Sequence, residues 1–476
     1  MSKISITATI ALSLASVMAI AANGAPKYQP FPDGYGYMDQ AEIKALIAAV
    51  ASGEHKKVRD HGWKLWAGIM QPAADGQWPI WYTWPNTKAA FAPSSGANLA
   101  ASAAAGPGKS LIRLNAANGA GQPAKEPPID PPPPSYPIPP DVIKAYPNPT
   151  KNCGTGTICD GAHFLFNGNI LIPTESLSQQ GFDWIRNSKV YEKSTLDAAH
   201  KADKKNLPAP PRYIVTKHMY WPVKAGVVSA IPVWHDYHDG TYLKYAGYET
   251  WPDLVGVDPS GQSVGKTVSV SYLYGVLQPS QTDPPPPWPT ITASVQVYGL
   301  KDFYYHKVTQ ADWDSFDEAD KAIINASSYW AYNQPFGPGD FLVTIAMHVN
   351  TKEIPTWALQ SAWWSDVPNS GMYAADRPKL PQAKGPWDHY LLVDGYGITD
   401  PTNPSMLPVA TNPYIELVSH RIGTDCNNCH VRAGWPAAKY QGTICPVLLE
   451  KLKPENPCFK DLTRSDFQWI IPDRAQ

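Results

Sequence analysis

The sequence predicts an α+β protein: a β-rich body with short helices, long proline-rich loops and a C-terminal helical segment. Three observations carry that expectation. The 476-residue chain holds 50 prolines, which interrupt helices and central strands alike. It holds 18 tryptophans and 25 tyrosines but only 17% charged residues, a composition that buries apolar surface rather than staying unfolded. Two stretches, Val268–Tyr274 and Ile291–Tyr298, alternate apolar and polar residues with the period of a strand.

In chain order, Lys3, the apolar run Ile10–Met18 and the small-residue site Ala19-Ile20-Ala21 predict a Sec-type signal peptide over 1–21, and therefore a periplasmic protein. No later run reaches the roughly 18–20 apolar residues of a membrane span, so none is expected after cleavage. Residues 22–120 read as an N-terminal helical region with a flexible loop. Asp39 caps a helix whose apolar residues Ile43, Leu46, Ile47 and Val50 follow a 3.6-residue period. A second helix runs through His61–Ile69 and stops before Trp78–Pro85, while the Ala, Gly and Ser of 94–109 form the loop. Residues 121–150, centred on Pro131–Pro134, read as an extended proline-rich connector.

The β-rich body is expected over 151–410. Val268–Tyr274 and Ile291–Tyr298 should be neighbouring strands, with the prolines of 284–287 looped out between them. Phe341–Asn350 is a third strand, with Phe341, Val343, Ile345, Met347 and Val349 on one face and Thr344, His348 and Asn350 on the other. Asp312, Asp314, Asp317 and Asp320 suggest a calcium loop, but Asp317 stands where glycine is needed and no glutamate closes the loop; N-terminal capping of a helix over Ala319–Ile324 is the better account. A formal charge of −2 with no basic block gives no field for nucleic acid, which is excluded as a partner.

The remaining segment, 411–476, contains Cys426-Asn427-Asn428-Cys429-His430. This C-x-x-C-H spacing lets two thiols add to one porphyrin while the next imidazole reaches the iron, so Cys426 and Cys429 are the tethers and His430 the proximal ligand of one covalently bound haem c. The C-terminal helical segment is thereby a haem-binding one. A structural zinc would need a second ligand pair, and a redox dithiol would not need the histidine. The other cysteines stand singly at 153, 159, 445 and 458. They allow three pairings, of which Cys153–Cys159 and Cys445–Cys458 close the shortest loops.

Three further stretches, His61–Gly68, Met347–Trp357 and Asn412–Glu416, resemble large periplasmic monohaem c-type cytochromes, a group of cytochrome c family proteins without an assigned reaction. The resemblance, in scattered blocks over most of the mature chain, implies a haem protein. The run Ala358–Trp364 departs from the longer aromatic stretch of such relatives.

The distal iron position is open to several candidates. The 46 residues after His430 contain neither methionine nor histidine, which excludes a small cytochrome domain at this end. His348 is the leading upstream ligand, read against a hydrogen-bonded structural histidine; Met347 reads as core. His389 and Met406 are further candidates, and Lys439 or Tyr440 weaker ones. His420 reads as a helix-surface or propionate-facing residue. His235 and His238, with Asp236 and Asp239, form either a second metal site or a polar turn ending at Gly240. A capped iron means electron transfer to or from a periplasmic redox partner protein. An open one means a haem-dependent oxidoreductase of oxygenase or peroxidase type, for which no catalytic residue is assigned. The bulk of the chain also suits a docking subunit.

Overall fold

The computed structural model describes residues 27–52, 54–74, 78–93, 172–235, 253–272, 291–316, 318–332, 334–371, 373–374, 376–395, 412–415, 426, 430–436 and 459–476. The signal peptide, the loop and connector, the isolated cysteines, Asp317, His238, Met406, His420, Lys439 and Tyr440 all lie outside these residues.

The fold is α+β. Its larger sheet is antiparallel, with strands β1 (Ile172–Leu177), β2 (Ile214–Val223), β8 (Phe341–Thr351), β9 (Ala358–Trp364) and β10 (Tyr390–Gly395) side by side in that order. β7 (Tyr305–Lys307) lies beside the first residues of β8. A second, four-stranded sheet orders β3 (Ser229–Pro232), β4 (Leu254–Asp258), β6 (Ile291–Gly299) and β5 (Thr267–Tyr272). β5 and β6 pair antiparallel, as their alternation predicts, and Val270 and Tyr272 are buried while Thr267, Ser269 and Ser271 are exposed.

The two faces of the larger sheet are covered by opposite ends of the chain. On one lie α1 (Gln40–Ser52), α2 (His55–Ile69) and the 3-10 turn Ile80–Thr83, which sets Trp81 stacked on His218 of β2 at 3.6 Å between ring centres. Asp39 caps α1 through the Glu42 amide, as expected. The buried stripe of α1 is Ile43, Leu46 and Ala49, whereas Ile47, expected in it, is 37% exposed. That stripe meets Leu65 of α2 together with Ile354 and Ala358, a contact too narrow to include Ile47.

The 61–68 block is the seat of α2 on this face. Trp63 and Trp66 donate to Asp376 and to the Trp387 carbonyl, and Arg59 grips Asp376 with Nε and Nη2 at 2.6 and 2.9 Å. A Cβ at Gly62 would run into Asp394 and Gln360, so only glycine lets the helix approach this closely.

The other face, hereafter the C-terminal face, carries Leu177, Val215 and Leu359. They cluster with Ala90 of α3 (Thr87–Ala90), with α4 (Gln179–Ser188) and α5 (Lys193–Lys201), and with Val431, Phe459, Phe467 and Ile471 of the C-terminal segment. That segment also forms a two-stranded ribbon, β11 (Gly434–Trp435) with β12 (Thr463–Arg464), and ends in α8 (Ile470–Arg474). Short pairings of this kind carry no periodicity, and the ribbon is absent from the sequence expectation.

Two helices precede β8. Thr309 caps α6 (Gln310–Ser315) with Asp312 reaching back to the Thr309 amide, a capping box that uses one of the four aspartates, at the helix before the one expected to be capped. Asp320 is buried within α7 (Glu318–Tyr332).

Candidate functional site

β2 and β8 sit inside the larger sheet, and their Val, Ile and Thr residues suit burial on both faces. Each strand has a single residue that is not buried, Lys217 in β2 and His348 in β8. The two are direct cross-strand partners, and the row continues to Glu175 on β1 and to Ser361 on β9. Paired residues project to the same face, here the C-terminal one. Two interior strands thus open to solvent at one shared point, on the face that also carries Val431, Phe459 and Phe467.

His430 comes within electrostatic reach of His348 and Lys217, and Cys426 and His430 both have helical backbone and are both partly exposed. Cys426 packs where the two largest apolar clusters meet. Cys429 lies outside the described residues.

The His430 Nδ1 lies 2.8 Å from the Phe467 carbonyl oxygen. A carbonyl only accepts, so Nδ1 carries the proton and donates it, which leaves Nε2 as the basic, ligating nitrogen. Burial pushes the His430 pKa down to about 4; the Phe467 carbonyl opposes that shift, and the approach of His348 and Lys217 adds to it. His430 is therefore held neutral, the form that binds a metal, and within electrostatic reach of His348.

The turn that presents the Phe467 carbonyl is unusual. Asp466 and Phe467 both have left-handed backbone, with φ of 50° and 69°, a conformation non-glycine residues seldom adopt twice in succession.

Polar groups lie at both ends of the same strand row. Asp473 and Arg474 of α8 meet the row at its β1 end, where Arg474 Nε is 3.3 Å from Glu175 Oε2. Burial lifts the Asp473 carboxyl to about 7, with Arg474 and Lys217 pulling it down and Glu175 pushing it up. At the β9 end Asn412 donates to Ser361 Oγ and to the Ala362 carbonyl, both at 2.9 Å, and Tyr414 reaches the Pro232 carbonyl at 2.7 Å. Residues 412–415 therefore form a strap at the β9 end of the strand row that holds His348.

The other named candidates fall elsewhere. Met347 is fully buried, as expected, and its direct partner is His218, whose stacking on Trp81 marks the helix-covered face. Thr344, expected beside His348, stands opposite Tyr220 instead: Ile345 is an extra residue relative to β2, and this bulge breaks the alternation. His389 lies before β10, 4.0 Å from Asp302 and four residues ahead of Val393, the β10 partner of Ser361. His235 gives both ring nitrogens to carboxylates, Asp366 at 2.7 Å and Asp253 at 3.1 Å, an ion-paired surface histidine. Among the described residues no cluster of three or more His, Cys, Asp or Glu is arranged to hold a bare metal ion.

The residues present fit a haem. The His430 imidazole has one nitrogen anchored on the Phe467 carbonyl, and the His348 imidazole and Lys217 lie on the same face. Lys217, Glu175, Asp466 and Asp473 were not anticipated from the sequence; a lone lysine within the apolar run Ile214–Val223 was the available signal. No protein-family model, curated protein or solved structure matches this chain.

Proposed function

We propose that this chain is a periplasmic c-type cytochrome. In this reading Cys426, Cys429 and His430 carry one haem c on a helical C-terminal segment, His348 caps the iron, and the protein passes electrons to or from a partner redox protein. When bound, the haem supplies a one-electron ferric/ferrous couple. The observation that carries the reading is His430, with Nδ1 committed to Phe467 and Nε2 left basic, beside the only unburied residue of β8, His348.

The chain's own residues do the rest. The Phe467 carbonyl holds the His430 ring and raises its basicity, which favours the ferric state. Lys217 and Arg474 supply positive charge for two propionates. The strap 412–415 and the cluster around Val431 and Phe467 exclude water, which limits reorganisation on electron transfer. Among the described residues no helix is long and apolar enough to cross a membrane.

The test is the visible and EPR spectrum of ferric and ferrous protein made with haem-maturation machinery, with and without carbon monoxide. Low-spin iron indifferent to carbon monoxide supports the capped electron carrier. High-spin iron that binds carbon monoxide overturns the capping by His348 and favours an oxidoreductase. Absence of haem surviving denaturing electrophoresis overturns the cytochrome reading altogether.

A further inference from the structure

The Met347–Trp357 block contains, besides His348, a lysine that the haem reading leaves without a task. Lys352 follows the last residue of β8 and crosses to the C-terminal segment, where its Nζ lies 2.9 Å from Asp466 Oδ2 and 3.1 Å from Oδ1. Its ammonium also rests 5.4 Å over the centre of the Trp357 ring and donates to the Pro355 carbonyl at 3.2 Å. Asp466 is buried at 5% exposure, and its Oδ2 accepts from the Ala209 amide at 2.8 Å. A buried carboxylate held by a cation and an amide is a rigid post.

That post carries the left-handed pair Asp466 and Phe467, whose second carbonyl receives the His430 N–H. Two successive residues in this conformation persist only where the surroundings hold them. On the other side of the turn the Ser465 amide donates to the Ala433 carbonyl at 2.8 Å, tying it back to the His430 segment.

We infer that Lys352 and Asp466 are positioning residues for the iron: their ion pair sets the turn that aims the Phe467 carbonyl at His430 Nδ1, and through it the basicity of the proximal imidazole. The inference rests on the haem reading. One strand then serves both sides of the iron, since β8 presents His348 and the next residue after it fixes the partner of His430. Without the Lys352 charge the Asp466 turn relaxes, the N–H to carbonyl bond weakens, and a less basic imidazole favours the ferrous state.

The experiment is spectroelectrochemical titration of the haem-loaded protein with Lys352→Met, Lys352→Arg, Asp466→Asn and, as a control, Glu353→Gln. Glu353 belongs to the same block but bonds to His61 on the opposite face. Lys352→Met and Asp466→Asn should shift the ferric/ferrous ratio at fixed ambient potential about tenfold toward ferrous, which is about 59 mV for one electron, with altered low-spin EPR g-values. Lys352→Arg should restore both. Glu353→Gln should lower stability and leave potential and g-values unchanged. An unchanged potential in well-folded Lys352→Met, or an equal shift in Glu353→Gln, overturns the inference while leaving the haem reading intact; absence of covalent haem from the unsubstituted protein overturns the haem reading itself.

Discussion

His218 and His348 lie one register position apart on paired strands and face opposite sides of one sheet. His218 is fully buried, hydrogen-bonds the Thr174 and Thr216 hydroxyls at 2.8 Å, donating from one ring nitrogen and accepting on the other, and stacks on Trp81; burial holds its pKa well below the ordinary value. His348 is half-buried beside Lys217, on a face that also receives His430. The contrast shows how one residue type is used twice. A histidine matched by the hydroxyls of its own sheet and sealed by an aromatic ring serves the fold, while one set at the unburied position of an interior strand faces the C-terminal segment.

Substituting the two histidines breaks the comparison most directly. His348→Ala should convert low-spin iron to a form that binds carbon monoxide, with little loss of stability, whereas His218→Ala should leave the spectrum intact and cost about 2–4 kcal/mol in urea unfolding, because it opens a cavity and strands two buried hydroxyls. The reverse pattern would assign the ligand to the wrong face.

The pH dependence of stability sharpens the picture of the helix-covered side. Burial alone would lower the His61 pKa, but the Glu353 carboxylate at 3.1 Å and Glu42 raise it to about 9. Its folded value exceeds the unfolded one near 6.5, so its stabilisation is complete below about pH 6.5 and is lost as pH rises through 9. Unfolding midpoints measured from pH 6 to 10 should fall by the equivalent of roughly 3 kcal/mol, and His61→Gln should flatten that slope. Glu42, lowered to about 2 chiefly by the His61 hydrogen bond, contributes stability above pH 4.5 that disappears as pH falls through 2.

The smallest change is one methyl. Gly62→Ala should cost about 1–3 kcal/mol by pushing α2 away from Asp394 and Gln360, with the haem spectrum unaltered because the C-terminal face is not touched.

How much of this was legible in the sequence depends on the range of the interaction. The α1 cap at Asp39, the pairing of β5 with β6 and the burial of Met347 follow from local periodicity, and each is found. His348 could be assigned a face for the same reason. The companions of the site could not: Lys217 and Glu175 join it through strand pairing, and Asp466 and Asp473 through the return of the C-terminal segment across the sheet, neither of which leaves a periodic trace. Thr344 was misplaced because a bulge shifts the side-chain phase by one residue without announcing itself in composition.

That bulge makes β8 a strand written in two phases. Up to Thr344 it runs between β2 and the short β7; beyond Ile345 it runs between β2 and β9, with its odd and even positions exchanged. The first half is matched to one neighbour and the second to another, so Ile345 acts as a joint between two packing problems that a regular strand would have to solve with one alternation.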